Sequence, residues 1–154
     1  MTVERLLLGL LTSGVSTLGF CMLLKLNPRR FPFAILGGML TNLIYDALFL
    51  SFENMLLAAF FASLFMAFYS EIGARLLRIP AILLILPCFI PIVPGSYLYY
   101  TLYHLFHQQT DLFLHYGKGA LQIGLGIAVG MSVASVLMNA TLYLFQSIRK
   151  RLNP

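Results

Sequence analysis

Apolar residues run in long blocks along the chain, and the polar residues between them fall in short clusters. The first block covers about residues 5–26 and closes on Lys25 and Asn27-Pro28-Arg29-Arg30. The second covers about 31–52, and the third about 54–77, closing on Arg75 and Arg78. A fourth, 80–93, is interrupted at Pro94-Gly95 and followed by a helix over 96–108 rich in tyrosine and histidine. The last covers about 117–148 and ends at Arg149-Lys150-Arg151. A helix of about 20 apolar residues crosses a bilayer. The pattern therefore predicts an all-α integral membrane protein with about five transmembrane helices, the fourth broken at Pro94-Gly95 and followed by an interfacial helix. Residues 1–154 then form a single transmembrane domain. The last block would measure roughly 48 Å as a helix, so it should tilt or protrude. The run from Leu6 to Leu26 is too long for the apolar core of a signal peptide and lacks an A-x-A-like cleavage site, so it reads as a retained helix.

Composition agrees with that picture. Of 154 residues, 60% are hydrophobic and 10% charged, with a mean hydropathy of +0.88. Disorder, a disulfide scaffold and a soluble enzyme are excluded, and no room is left for a soluble catalytic domain. The net charge is +5, but the basic residues sit between apolar blocks, where they set topology, so no nucleic-acid partner is expected. Lys25, Arg29, Arg30, Arg75, Arg78, Arg149, Lys150 and Arg151 fall on one side, and Arg5 and Lys118 on the other. The positive-inside rule then predicts an N-terminus outside and a C-terminus in the cytoplasm. Cys21 and Cys88 lie inside apolar blocks as small buried hydrophobes, with no metal or redox motif.

Each main helix carries small or polar residues at spacings of three and four, the mark of a face turned toward protein. In the first these are Gly9, Thr12, Ser13, Ser16 and Gly19. In the second they are Gly38, Thr41, Asn42, Tyr45 and Asp46. In the third they are Ala59, Ser63, Ala67, Ser70, Glu71 and Ala74, and in the last Gly124, Gly126, Ala128, Gly130, Ser132, Ser135 and Asn139. Helix packing explains most of them. Asp46 and Glu71 ask for more, because a carboxylate inside a membrane costs at least about 2.5 kcal/mol and must face protein or water. Either would carry a coupling proton or pair with a substrate amine. The structural alternative for Glu71 is an ion pair with Arg75, and for Asp46 a place near the outer interface.

Residues 80–96 hold Pro80, Pro87, Pro91 and Pro94, followed by Gly95-Ser96. Proline removes a backbone donor, and glycine frees the chain to leave helical geometry. About 21 Å of helix from Pro80 to Val93 falls short of a hydrocarbon core of about 30 Å. Broken helices of this kind form binding sites in secondary transporters. A helix starting near Ser96 would turn its N-terminal amides toward the break and favour a carboxylate. Asn42 and Asn139 would supply neutral hydrogen bonds. His104 and His107 share a helix face but lack a third ligand, so no metal and no cofactor is expected.

Ile90-Pro91-Ile92-Val93-Pro94-Gly95 resembles the P-x-V-P-G signature of the threonine/serine exporter (ThrE) family. Ala34-Ile35-Leu36-Gly37-Gly38 and Ser70-Glu71-Ile72-Gly73-Ala74-Arg75 add to the likeness, which is closest to the small, five-helix YjjB-like subunit. The resemblance implies a transporter of the bacterial plasma (inner) membrane, not an enzyme, exporting threonine and serine or a dicarboxylate such as succinate. In single-chain members this region is the C-terminal half. A second, larger ThrE-like subunit is therefore implied, with a homo-oligomer as the alternative assembly. Pro91, Pro94 and Gly95 would lie on the transport path by the same resemblance. The absence of a nucleotide-binding motif suggests proton coupling. A rival reading is a non-transporting scaffold subunit of a membrane complex.

Overall fold

A computed structural model describes residues 2–152, with side chains for Glu4 and residues 6–141. The side chains of Arg5, Arg149, Lys150 and Arg151, which enter the charge asymmetry, lie outside those described. The described chain is helical: α1 (Thr2–Leu23), α2 (Phe31–Phe52), α3 (Met55–Leu77), α4 (Ile82–Phe89), α5 (Gly95–Phe106) and α6 (Thr110–Leu152). Short 3-10 turns occupy Pro28–Arg30 and Ile90–Ile92. Four helices are long and apolar enough to cross a membrane, or five if α4 and α5, bent by 54° at their break, count as one span. The protein is thus an all-α, multi-pass membrane protein.

Polar residues end the helices. Lys25, Glu53, Arg78 and Gln108 all take left-handed φ between 50° and 57°, reversing the chain within a few residues. After Arg78, the Ile79 amide donates to the Ala74 carbonyl at 2.9 Å, closing orphan carbonyls of α3. At the other end of α3, the Asn54 side chain accepts from the amides of Leu56 and Leu57 at 3.0 and 3.2 Å.

Small residues decide which helices touch. A side chain at Gly38 would collide with Thr17 of α1, and one at Gly37 with Tyr69 of α3 and Cys88 of α4. The Gly37-Gly38 pair therefore lets α2 meet neighbours on two sides, as close packing in lipid requires. Phe33 and Tyr69 stack at 4.6 Å where α2 and α3 run antiparallel. Tyr69 donates from its hydroxyl to the Phe33 carbonyl at 2.8 Å. Helices α3 and α6 run parallel: a Cβ at Gly126 would lie 2.5 Å from the Leu56 carbonyl oxygen, and one at Gly130 would meet Ser63 and the Phe60 carbonyl oxygen. The core between them joins Ala59, Ala62, Ile92, Ile123 and Ile127.

Two expectations change. Helix α6 begins at Thr110 rather than at Gly117, because Gly117 and Gly119 do not break it. They make room for Thr101 and Tyr97 of α5 instead. Its 43 residues reach about 65 Å, and the turns before Gly119 extend past Met55, the first residue of α3. The small-residue face expected on α6 is two faces. Gly126 and Gly130 are buried, whereas Gly124, Ala128, Ser132, Ser135 and Asn139 are exposed. Residues two apart on a helix point about 200° apart, so Gly124 and Gly126 cannot share a stripe.

Candidate functional site

The sequence between α4 and α5 makes the break by proline chemistry. Pro87 lies inside α4, Pro91 inside the following 3-10 turn, and Val93 is extended at φ −63°, ψ 128°, as a residue before proline prefers. Pro94 follows at φ −76°, ψ 51°, and α5 opens at Gly95. The glycine is not what permits the break: its φ is not positive, and a Cβ there would meet nothing within 4 Å. Gly95 and Ser96 are exposed, so the first turn of α5, whose earliest amides lack helical partners, opens outward.

Two residues further into α5, Tyr97 reaches the same cavity as Asp46. The two residues line a cavity of about 360 Å³ with Leu6 of α1 and Tyr45, Phe49 and Leu50 of α2. On α2, Asn42 and Asp46 stand one turn apart, and Asn42 Nδ2 donates to Asp46 Oδ2 at 2.8 Å. Helix α1 lies directly over this pair. A Cβ at Gly9 would sit 2.8 Å from Asp46 Oδ2 and 3.0 Å from Asn42 Nδ2. Asp46 is thus half-buried, held by one amide and open to the cavity on its other side.

The remaining expected site residues fall elsewhere. Glu71 pairs with Arg75 at 3.6 Å near the far end of α3. It borders a recess of about 30 Å³ with Ala67, Phe68, Ile85, Met131, Ala134, Ser135 and Met138, about the volume of one water. Asn139 is exposed on α6 just beyond that recess, not beside Asn42. Pro91 and Pro94 are half-buried behind Tyr97, with Ile92 in the core between them. His104 Nδ1 meets Gln109 Oε1 at 2.6 Å and His107 Nδ1 meets the Tyr103 carbonyl at 2.8 Å, so local bonds occupy both rings. Among the described residues no three His, Cys, Asp or Glu side chains cluster as a metal site.

A larger groove of about 560 Å³ runs between α2 and α3, but Ile44, Leu48, Phe52, Phe61, Leu64, Phe65 and Phe68 give it an apolar wall with no fixed charge. The Asp46 cavity is smaller and carries the chemistry. Sequence reasoning found Asp46, Asn42 and the break but assigned Tyr97 to an interfacial belt. No local pattern links a tyrosine after the break to an acid three helices earlier. Leu6, Phe49 and Leu50 gave no signal because apolar residues fill every block.

Residues 9–137 match the family model described as Threonine/Serine exporter, ThrE. No curated protein and no solved structure matches the chain.

Proposed function

Because the chain belongs to the threonine/serine exporter family, whose members are transporters and not enzymes, we propose that it is the membrane subunit of a proton-coupled secondary exporter of small carboxylate metabolites. Threonine and serine, or a dicarboxylate such as succinate, are the substrates of this reading. A second, larger ThrE-like subunit supplies the other half of the path. The protein sits in the bacterial inner membrane with its N-terminus outside, so the end carrying Met55, Asp46 and Tyr97 faces the exterior.

The observation that carries the reading is that Asp46 and Tyr97, just after the helix break, line one cavity. Transporters commonly bind substrate where a discontinuous helix exposes backbone groups. An acid retained in the membrane beside such a break is a functional group by default, because its burial is otherwise unfavourable. The substrate path then includes Asn42, Pro91, Pro94, Gly95 and Ser96, with Asp46 as its ionisable group. Glu71 and Asn139 serve the cytoplasmic end, where Glu71 is a second candidate for proton coupling.

Efflux from cells preloaded with threonine, serine or succinate tests the reading, with this chain expressed alone and beside the larger subunit. Efflux is expected only when both are present. Efflux from this chain alone overturns the two-chain model. No efflux of any of the three, with both chains in the membrane, overturns the assignment as an exporter of these metabolites.

A further inference from the structure

Asp46 has one hydrogen-bond partner among the described residues, Asn42 Nδ2, and that bond reaches only Oδ2. Oδ1 has none. The ion pair on α3 lies in a different recess, and among the described side chains no cation pairs with Asp46. A membrane-embedded carboxylate facing a cavity is completed by something with positive charge or a proton.

The rest of the wall narrows the choice. Leu6, Phe49 and Leu50 are apolar, and Tyr45 and Tyr97 add aromatic rings whose faces attract cations. Among the described residues no lysine, arginine or histidine lines the cavity, so none of them complements a second carboxylate. Binding pockets pair a mainly apolar wall with a few polar groups that fix orientation, and here those groups are one carboxylate and two phenols. A primary ammonium brings three donors and no acceptor. The Asp46 carboxylate and the tyrosine oxygens are acceptors, whereas a carboxylate in the same place would face Asp46 with like charge.

We propose that the Asp46 cavity binds the ammonium group of an amphipathic cation, a primary amine carried on a short hydrocarbon body. The inference rests on the exporter reading only in taking the cavity as part of the path. It widens the substrate class from hydroxylated amino acids to apolar amino acids and amines, and it removes dicarboxylates from this cavity. The ammonium takes Asp46, and the hydrocarbon lies against Leu6, Phe49 and Leu50.

Three ligands with one hydrocarbon body separate the groups: isopentylamine, L-leucine and 4-methylpentanoate, with succinate as a fourth. Each is titrated calorimetrically into the full chain purified in detergent, against empty micelles. Saturable binding is expected for isopentylamine and leucine, with 4-methylpentanoate and succinate weaker by roughly tenfold or more. Asp46→Asn should remove that preference and Asp46→Glu should keep it, both variants eluting as the wild-type chain does. Equal binding of amine and carboxylate by the wild-type chain overturns the proposal without recourse to any variant. An unchanged preference in a folded Asp46→Asn chain overturns it as well. Amine-selective binding without efflux in cells removes the exporter reading and supports the cavity assignment. Efflux with no amine preference in binding does the reverse.

Discussion

The ring of Tyr97 occupies the space that a side chain at Gly119 would need: a Cβ built there lies 2.6 Å from both Cδ1 and Cε1 of the tyrosine. Gly119 of α6 thereby fixes how far α5 approaches, and with it the position of Tyr97 on the Asp46 cavity. Gly119→Ala should push the ring aside, at a cost of about 1–3 kcal/mol if the helices cannot yield. Efflux should fall several-fold while the chain still inserts in the membrane. Wild-type efflux from this variant would detach Tyr97 from the path.

Gly126 and Gly130 face backbone atoms of α3 as well as side chains, so α3 and α6 have less room to give there. Gly126→Leu should therefore be harsher than Gly119→Ala and should separate the two helices. A fall in detergent melting temperature of many degrees, or loss of the folded chain on size exclusion, is expected. Gly124→Leu, on the exposed side of the same helix, should leave stability unchanged. Equal effects of the two would contradict the packing.

Gly95→Leu distinguishes the path from the fold. Its side chain would enter open space, and the glycine does not use a left-handed conformation. The variant should melt with the wild-type chain yet lose efflux, because bulk at the first turn of α5 covers the exposed amides. Normal efflux in Gly95→Leu would exclude that turn from the substrate path.

Asn54 caps α3 with two side-chain hydrogen bonds. Asn54→Ala should cost about 1 kcal/mol, and Asn54→Asp should restore most of it. Denaturation in mixed micelles measures both. Asn54 does not line the Asp46 cavity, so efflux by the surviving folded fraction should match the wild type.

The helices were legible because their apolar blocks exceed the membrane thickness and their ends carry charge. The face of α3 was legible too: Ala59, Ser63, Ala67, Ser70 and Ala74 are all buried. Helix α1 was less so, since Ser13 is buried but Thr12 and Gly19 are exposed. A small residue permits close approach without requiring it, and only the partner helix decides. The ion pair of Glu71 with Arg75 followed from spacing alone. The cavity did not, because it joins α1, α2 and α5, and no periodicity within one helix reports on another.

Helix α5 packs chiefly on α6, whereas Asp46 stands on α2 under the cover of α1. The two walls of the cavity thus belong to different helix pairs, α5 with α6 and α2 with α1, and α3 packs between the pairs, against both α2 and α6. Along α3, helix α6 presents Gly126 and Gly130 to backbone atoms and Ile123 and Ile127 to the shared core, which together set its register. A change of one residue in that register, about 1.5 Å, would carry Tyr97 with it and leave Asp46 behind. The mouth of the cavity is in this sense a caliper whose jaws are set by a distant rail.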